Sequence, residues 1–327
     1  MTRVLVIGAA GMIGAKLTAR LIADGTLAGK PIEALDIVDV VPPTAPDGVP
    51  FAIERRAIDL TVPGNADVVI APRPDVIFHL AAIVSGEAEA DFDKGYRVNL
   101  DGARYLFDAI RKVGGYVPRV VFTSSIAVFG APFPDAIADD FFETPLTSYG
   151  TQKAIGELLL SDYTRRGFMD GIGIRLPTIC VRPGKPNKAA SGFFSGIIRE
   201  PLAGLEAVLP VPETVRHWHA SPRSAVGFLL HAAGLDGAKL GARRNLSMPG
   251  VSATVGEQIA ALRKVAGDKV AARIRREPDA TIMKIVDGWP RNFAPERALA
   301  LGFRAEANFE EIIRIHIADE RGGTWVA

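Results

Sequence analysis

The sequence predicts an α/β protein built on a doubly wound parallel sheet, followed by a smaller C-terminal lobe. Six short runs rich in β-branched residues alternate with segments that carry apolar residues at helical spacing. The first run ends in a glycine-rich turn, and the alternation stops after residue 177, where proline and glycine become frequent. Parallel strands joined by right-handed crossovers place helices on both faces of a sheet, which gives the doubly wound architecture.

The elements follow from these patterns in chain order. The predicted strands are residues 4–8, 33–39, 51–59, 75–82, 119–125 and 171–176. Helices are expected over 12–24, 97–112, from 255 onwards and over about 308–318. Thr254 and Glu257 have the spacing of a capping box, which marks the start of the helix at 255.

Composition excludes several classes of protein. The chain has 327 residues, 48% of them hydrophobic and 23% charged, which is typical of a folded globular protein. Its 38 basic and 37 acidic residues form no dense basic stripe, so we expect no nucleic-acid partner. Cys180 is the single cysteine, which excludes an intramolecular disulfide and suits a cytoplasmic location. Since no run of 18 apolar residues occurs, no membrane association is expected.

The glycines Gly8, Gly11 and Gly14 form a pattern typical of dinucleotide-binding turns. They lie between the first predicted strand and the first predicted helix. The first glycine permits a tight turn, the second lets the backbone approach a pyrophosphate, and the third lets the helix pack closely on the sheet. The free amides at the helix start, at Met12 and Ile13, then bind the phosphates.

A carboxylate at the end of the second strand is expected to bind the adenosine ribose. Asp36 and Asp39 both lie there, and we favour Asp39 because it follows the last apolar residues of the strand. A carboxylate repels a 2′-phosphate, and no arginine follows closely, so NAD is expected rather than NADP. Asp59 and Leu60, which end the third strand, are candidates for contact with the adenine.

Tyr149 and Lys153 are four residues apart, a spacing that places both side chains on one face of a helix. Tyrosine is a weak base at its usual pKa near 10. A neighbouring ammonium favours the phenolate, so this pair is suited to general base catalysis near neutral pH. The pair follows a fifth strand that ends in Thr-Ser-Ser, which strengthens this interpretation.

Taken together, these motifs resemble the extended short-chain dehydrogenase/reductases, a Rossmann-fold family. The resemblance covers roughly residues 3–250 and depends on six segments in the family's order: GAAGMIG (8–14), HLAA (79–82), VNLDG around Asn99, FTSSIAVFG (122–130), YGTQK (149–153) and RLPT (175–178). It implies an NAD-binding domain over 1–178, with 215–250 returning to it, and a mainly substrate-binding lobe over 179–327.

The resemblance also implies roles for individual residues. Ser125 hydrogen-bonds the reacting oxygen, and Tyr149 exchanges its proton. Lys153 tunes Tyr149 and binds the nicotinamide ribose, while Asn99 helps to order this network. Further cofactor contacts are implied for Leu80, Ala81, Ala82 and Pro177, in addition to Asn99, Tyr149 and Lys153.

Within this family, GIRLPTICVRPG, SGFFSGIIREPLAG and RHWHASPRS resemble enzymes that oxidise the 2-hydroxyl of four-carbon sugar acids. Such a substrate needs a cation for its carboxylate, and the arginine fork binds both oxygens. Arg216 is the first candidate, ahead of Arg182 and Arg223. Ser85 and Thr178 are further expected substrate contacts, beside Ser125 and Tyr149.

Two alternative functions are compatible with the same motifs. A nucleotide-sugar epimerase or dehydratase would use the same hydride chemistry, and a dinucleotide sensor would use the fold without turnover. The pair His217 and His219 lacks nearby acidic or cysteine ligands, so no metal site is expected. The resemblance further implies a homodimer.

Overall fold

The computed structural model describes residues 1–46, 48–184 and 190–327. The strands are β1 (Thr2–Ile7), β2 (Thr26–Leu27), β3 (Lys30–Asp39), β4 (Ala52–Ala57), β5 (Val76–His79), β6 (Arg119–Ser125), β7 (Ile137–Ala138), β8 (Asp170–Leu176), β9 (Thr178–Ile179), β10 (Ala207–Leu209), β11 (Arg216–Ala220), β12 (Asn245–Ser247), β13 (Val251–Thr254), β14 (Ile274–Arg276) and β15 (Phe293–Ala294). The α-helices are α1 (Met12–Asp24), α2 (Asn65–Ile70), α3 (Ser85–Ala90), α4 (Phe92–Gly95), α5 (Gly102–Lys112), α6 (Ser148–Arg165), α7 (Gly192–Leu202), α8 (Pro222–Gly234), α9 (Val255–Ala266), α10 (Asp268–Ala271), α11 (Ala280–Asp287), α12 (Glu296–Ala300) and α13 (Phe309–Arg321).

The described chain divides into two compact units. Unit 1 contains residues 1–128, 147–175 and 226–246, and unit 2 contains the described residues of 129–146, 176–225 and 247–327. The predicted first domain runs without interruption to residue 178, whereas residues 129–146 cluster with unit 2. Two contacts explain this placement. Ile137 of β7 pairs with Phe293 of β15, and the Phe129 ring packs 5.8 Å from the Phe293 ring.

Unit 1 is built on a mainly parallel sheet with the order β12-β8-β6-β5-β1-β3-β2, and β4 also pairs with β3. β1 lies between β3 and β5 and is parallel to both. Ile7 of β1 is level with Val38 of β3 and His79 of β5. The chain order reverses direction at β1, which is where a doubly wound sheet forms its ligand crevice. Residues directly after these three strands therefore meet at one edge of the sheet.

Hydrophobic packing holds α5 and α6 against the sheet of unit 1. The amphipathic face of α5 buries Leu106, Phe107 and Ile110. The Phe107 ring packs edge-on to the Phe122 ring of β6, with the centroids 6.2 Å apart. Helix α6 packs on β6 as well. Because β6 and α6 share this core, the residues at the end of β6 face those on the first turns of α6.

Unit 2 has a separate core beneath its small sheet. β11 pairs antiparallel with β13 and parallel with β9. The core is formed mainly by apolar residues of α7, α9 and α13, among them Phe194, Ile197, Ile198, Ile259, Leu262, Ile312 and Ile313. The predicted capping box of α9 is confirmed. The Glu257 amide donates to Thr254 Oγ1 at 3.0 Å, and Glu257 Oε2 accepts from the Thr254 amide at 2.7 Å.

The predicted doubly wound α/β fold is confirmed, and all six predicted strands are present with ends shifted by up to three residues. None of the helices in the described ranges is both long enough and apolar enough to cross a bilayer.

Candidate active site

The glycine-rich turn joins β1 to α1 through two very close backbone approaches. Gly8 has φ +88°, and a Cβ built there would lie 2.6 Å from the Ala81 backbone nitrogen. A Cβ at Gly14 would lie 2.1 Å from the Gly8 carbonyl oxygen. Contacts this short are sterically forbidden, and residues with a Cβ rarely adopt the φ of Gly8. The packing of the turn itself therefore requires glycine at both positions.

Gly11 has a different environment. The residue is exposed, and a Cβ there would meet the Gly8 carbonyl oxygen at 3.3 Å, a tight contact but much longer than the 2.1 Å at Gly14. Gly11 is the N-cap of α1 and brings no side chain to cap the amides of the first turn. Such amides have no acceptor within the helix and bind anions. An exposed glycine at this helix start therefore fits the pyrophosphate of a dinucleotide.

The two candidate carboxylates on β3 have different partners. Asp39 Oδ2 accepts a hydrogen bond from the Ala10 amide of the glycine turn at 2.9 Å, and Oδ1 accepts from its neighbour Val40 at 2.7 Å. Asp36 forms an ion pair with Arg56 at 3.0 Å. Burial raises the pKa of Asp36, with the positive charge of Arg56 opposing it. Asp39 thus lies beside the turn, whereas Asp36 is engaged with β4.

The remaining candidates for cofactor contact follow the neighbouring strands. The Leu80 amide donates to the Ile7 carbonyl at 2.9 Å, which holds the segment after β5 beside the glycine turn. Asp59 accepts from the Thr61 amide at 2.8 Å, and Leu60 is buried. Residues 59–60 and 80–82 therefore follow β4 and β5 closely, at the carboxyl edge of the sheet.

Tyr149 and Lys153 lie on the first turns of α6. Thr147 begins this helix by accepting the Gly150 amide at 3.1 Å. Lys153 is only 2% exposed, and its Nζ lies 5.8 Å from the centroid of the Tyr149 ring. Lys153 Nζ also donates to the Thr123 carbonyl oxygen at 2.8 Å. The ammonium is therefore held between the end of β6 and the tyrosine.

The protonation of these groups is set mainly by burial. Burial lowers the pKa of Lys153 to about 8, while the negative charge of Glu157 acts in the opposite direction. Burial also lowers the pKa of His79 to about 3, and the Lys153 charge adds to this effect. His79 is therefore neutral at physiological pH and adds no second cation beside Lys153.

Ser125 is the last residue of β6 and is partly buried. Its Oγ accepts a hydrogen bond from the Ala127 amide at 3.1 Å, which leaves its hydroxyl proton as a donor. The Thr123 carbonyl that receives Lys153 lies two residues earlier on the same strand. Lys153 is thus hydrogen-bonded to the strand that ends in Ser125.

Asn99 lies in a π-helical stretch, Tyr96–Asp101, and is 2% exposed. π-helical turns occur frequently at functional sites. Asn99 Oδ1 accepts from the Ile83 amide at 2.9 Å, and Nδ2 donates to Gln152 Oε1 at 2.8 Å. Asn99 therefore connects the segment after β5 to α6, next to Lys153.

Sequence reasoning missed three buried polar residues near Lys153: His79, Gln152 and Glu157. Gln152 precedes Lys153 in YGTQK, and Glu157 follows it by one helical turn. A polar residue on the buried face of an otherwise apolar pattern was the available signal. Ser85, in contrast, was predicted, and it forms the first residue of α3.

In unit 2, Thr178 forms a hydrogen-bonded pair with His217. Thr178 Oγ1 lies 2.7 Å from His217 Nε2, and His217 Nδ1 lies 2.7 Å from the Pro290 carbonyl oxygen. A carbonyl only accepts, so Nδ1 carries the proton and Nε2 accepts from the Thr178 hydroxyl. Burial lowers the pKa of His217 to about 4. Pro177 directly precedes this pair.

The candidate arginines for a carboxylate have protein partners in unit 2. Arg216 forms an ion pair with Glu257 at 3.2 Å and donates to the Ser252 carbonyl at the same distance. Arg223 donates to Asp319 at 3.2 Å from its Nε. Arg182 donates to the Ile179 carbonyl from its Nε at 3.3 Å. Arg216 is 37% exposed, so a ligand carboxylate can compete with its screened surface ion pair.

His217 and His219 do not form part of a recognisable metal centre. Their rings are 5.4 Å apart, and each has a different hydrogen-bond partner. Over residues 1–46, 48–184 and 190–327, no group of three or more His, Cys, Asp or Glu residues is arranged to hold a metal ion.

Comparison with known proteins extends these observations. The NAD dependent epimerase/dehydratase family matches residues 4–219. D-erythronate dehydrogenase of Cupriavidus necator is 50% identical over 321 residues, which are 97% of this chain and 98% of the relative. D-erythronate dehydrogenase of Haemophilus influenzae is 43% identical and covers 95% and 98% of the two chains.

A solved structure is closer still in sequence. The nucleoside-diphosphate-sugar epimerase from Agrobacterium tumefaciens superposes with a TM-score of 0.97 at 68% identity. It covers 99% of this chain and 95% of that one. The predictions of an NAD cofactor and of an oxidoreductase are confirmed at the level of the family. The chain belongs to the NAD-dependent epimerase/dehydratase family.

Proposed function

We propose that this protein is an NAD-dependent dehydrogenase that oxidises the 2-hydroxyl of D-erythronate, or of a close four-carbon sugar acid, to the 2-oxo acid. The observation that carries this proposal is the 50% identity to D-erythronate dehydrogenase over nearly the whole of both chains. The second D-erythronate dehydrogenase, at 43% identity, supports the same substrate class.

Tyr149 acts as the general base in this proposal. Bound NAD supplies the hydride acceptor for the substrate carbon. Tyr149 takes the proton of the substrate hydroxyl, and Ser125 donates a hydrogen bond to the same oxygen as it becomes a carbonyl. Lys153 favours the phenolate because its ammonium lies close to the Tyr149 ring. Asn99 keeps the segment after β5 in register with α6.

The cofactor is assigned to the carboxyl edge of the unit 1 sheet. The amides at Met12 and Ile13 bind the pyrophosphate, and Asp39 binds the adenosine ribose. Support for Asp39 over Asp36 comes from its hydrogen bond to the Ala10 amide and from the engagement of Asp36 with Arg56. The further cofactor contacts are assigned to Gly8, Gly11, Gly14, Asp59, Leu60, Leu80, Ala81, Ala82, Asn99, Tyr149, Lys153 and Pro177.

The substrate is assigned to polar residues that suit a hydroxy acid. Arg216 binds the carboxylate, with Arg182 as the second candidate, because a guanidinium binds both oxygens of a carboxylate. The remaining contacts are Ser85, Ser125, Tyr149 and Thr178. The hydroxyl of Thr178 donates to His217, which leaves its oxygen to accept from a substrate hydroxyl.

A second candidate function is a nucleotide-sugar epimerase. The observation in its favour is the 68% identity to a structure described as a nucleoside-diphosphate-sugar epimerase. An epimerase returns the hydride to its substrate, so its cofactor shows no net reduction. Net reduction of the cofactor therefore separates the two functions.

The test is a screen of four- and five-carbon aldonates with NAD, in which reduced cofactor is followed by absorbance. We expect steady NADH production with D-erythronate and weaker production with its stereoisomers. Nucleotide sugars provide the comparison arm. Interconversion of a nucleotide sugar without NADH production, together with no activity on any aldonate, would replace the dehydrogenase proposal by the epimerase.

A further inference from the structure

A buried ion pair lies directly behind Lys153. Glu157 is on α6, one turn after Lys153, and its side chain is fully buried. Arg175 of β8 binds both of its carboxylate oxygens: Nε lies 3.0 Å from Oε1, and Nη2 lies 2.6 Å from Oε2. The Ser124 hydroxyl donates a short hydrogen bond to the same carboxylate. The Glu157 carboxylate therefore accepts hydrogen bonds from three donor atoms in the interior of unit 1.

The contact with Ser124 connects this ion pair to the end of β6. Side chains alternate between the two faces of a strand, so Ser124 points away from its neighbour Ser125. The residue before it, Thr123, offers its carbonyl oxygen to Lys153 and its hydroxyl to the His79 carbonyl, at 2.8 Å and 3.0 Å. Through Ser124, Glu157 is thus hydrogen-bonded to the end of β6, where the Thr123 carbonyl accepts from Lys153.

An ion pair at this depth is a weak source of stability. Removal of two charges from water costs several kcal/mol, and apolar residues of similar volume are often as stable or more so. Glu157 lies one helical turn after Lys153, and its hydrogen-bond partner Ser124 lies between Thr123 and Ser125 on β6. This location suggests a role in the site. Stability alone does not account for it.

Glu157 is also the negative charge that acts on Lys153. The titratable groups around the ammonium are Tyr149 and Glu157 on α6 and His79 on β5, and His79 is neutral. Burial lowers the pKa of Lys153, and Glu157 opposes that effect. Arg175 of β8 forms an ion pair with Glu157.

We propose that Glu157 is a positioning residue for the catalytic pair: through Ser124 it fixes the end of β6, and through its charge it keeps Lys153 protonated beside Tyr149. This inference rests on the proposed role of Tyr149 as base. Lys153 must carry its proton for the phenolate to be favoured, and it loses that proton as the pH rises through its pKa. Loss of the Glu157 charge therefore moves the alkaline limit of activity to lower pH.

The test compares Glu157→Gln with the parent protein in two independent measurements. The first uses protein labelled with ¹³C in its lysines, without cofactor, and follows the Lys153 resonance against pH; Lys153→Arg identifies that resonance. We expect the Lys153 midpoint, about 8 in the parent, to fall by about one unit, the effect of losing a nearby opposite charge. The second follows kcat/KM against pH, and its alkaline limb should fall by the same amount.

Two further variants separate charge from structure. Ser124→Ala removes the hydrogen bond but keeps the charge, so it should lower kcat without moving the Lys153 midpoint. Asp162→Asn removes an exposed charge from the same helix, where Asp162 pairs with Arg165, and should change neither quantity. If Glu157→Gln does not fold because Arg175 has lost its partner, the double variant Glu157→Leu with Arg175→Met replaces the whole pair, and a smaller downward shift is expected because the Arg175 charge is lost as well.

An unchanged Lys153 midpoint in the folded Glu157 variant would overturn the inference. The cofactor-free titration keeps this result separate from the proposed function. A shifted midpoint in a protein that oxidises no aldonate supports the role of Glu157 in setting Lys153 and rejects the substrate assignment. If the protein oxidises aldonates but the Lys153 midpoint is unshifted in the Glu157 variant, the substrate assignment is supported and the role of Glu157 is rejected.

Discussion

Replacement of Tyr149 by phenylalanine should lower kcat/KM for D-erythronate oxidation by about 10²–10⁴-fold, the range expected when a general base is removed. The phenyl ring keeps the packing of α6 but has no group that accepts the substrate proton. The affinity for NAD should change little, because Tyr149 is one of many assigned cofactor contacts and the pyrophosphate and adenosine sites are assigned to the glycine turn and β3. Steady-state kinetics and calorimetric NAD titration measure the two quantities.

A matched control is available on the same helix. Tyr163 lies ten residues after Lys153 on α6, and its hydroxyl donates a hydrogen bond to Asp108 at 2.8 Å. Tyr163→Phe should retain catalysis and lose only a little stability, about 1 kcal/mol for a single hydrogen bond. Near-normal activity in the Tyr149 variant would remove this residue from its role as base.

The second large effect is expected on replacement of Gly14 and Gly11 by alanine, because glycine is needed at Gly14 for packing and at Gly11 for the approach of the pyrophosphate. A methyl group at Gly14 would lie 2.1 Å from the Gly8 carbonyl oxygen and 2.8 Å from Ala9 Cα. Gly14→Ala should therefore shift α1 away from the turn and lower the free energy of unfolding by about 1–3 kcal/mol, as overpacking does. NAD binding should be lost as well. Urea unfolding monitored by circular dichroism measures the stability.

Gly11→Ala provides the comparison. Its methyl group would meet the Gly8 oxygen at 3.3 Å, and the position is exposed. Its free energy of unfolding should change by less than about 1 kcal/mol, the effect of alanine at an N-cap. Affinity for NAD should nevertheless fall by about tenfold or more, a loss of about 1.4 kcal/mol. An unchanged NAD affinity in the folded Gly11→Ala protein would contradict the assignment of Gly11 to the pyrophosphate, and equal losses of stability in the two variants would contradict the packing difference between the two glycines.

The sequence predicted the central sheet well because its signals are local. Most of the six strands are short apolar runs bounded by polar or turn residues, and the glycine turn lies between a strand and a helix. The helix starting at Val255 was placed correctly because Thr254 and Glu257 form its capping box within four residues. In each case the residues that determine the structure are close together in the chain.

What the sequence did not reveal depends on contacts between distant residues. The pairing of β7 with β15 joins residues more than 150 positions apart, and it places 129–146 with unit 2. The ion pair of Glu157 with Arg175 combines two elements, α6 and β8, in a similar way. The sequence favoured Asp39 over Asp36 by its position after the strand, but it did not reveal their partners, Arg56 for Asp36 and the Ala10 amide for Asp39. The homodimer and the cytoplasmic location stay predictions.

In the proposed reaction, hydride leaves C2 of a sugar acid and is transferred to NAD at this site. The most direct measurement uses D-erythronate that carries deuterium only at C2, with mass spectrometry of the reduced cofactor after a single turnover. We expect NADH that contains one deuterium, together with a 2-oxo acid that has lost it. Reduced cofactor without deuterium, or a sugar acid that keeps its label while NADH forms, would rule out hydride transfer from C2.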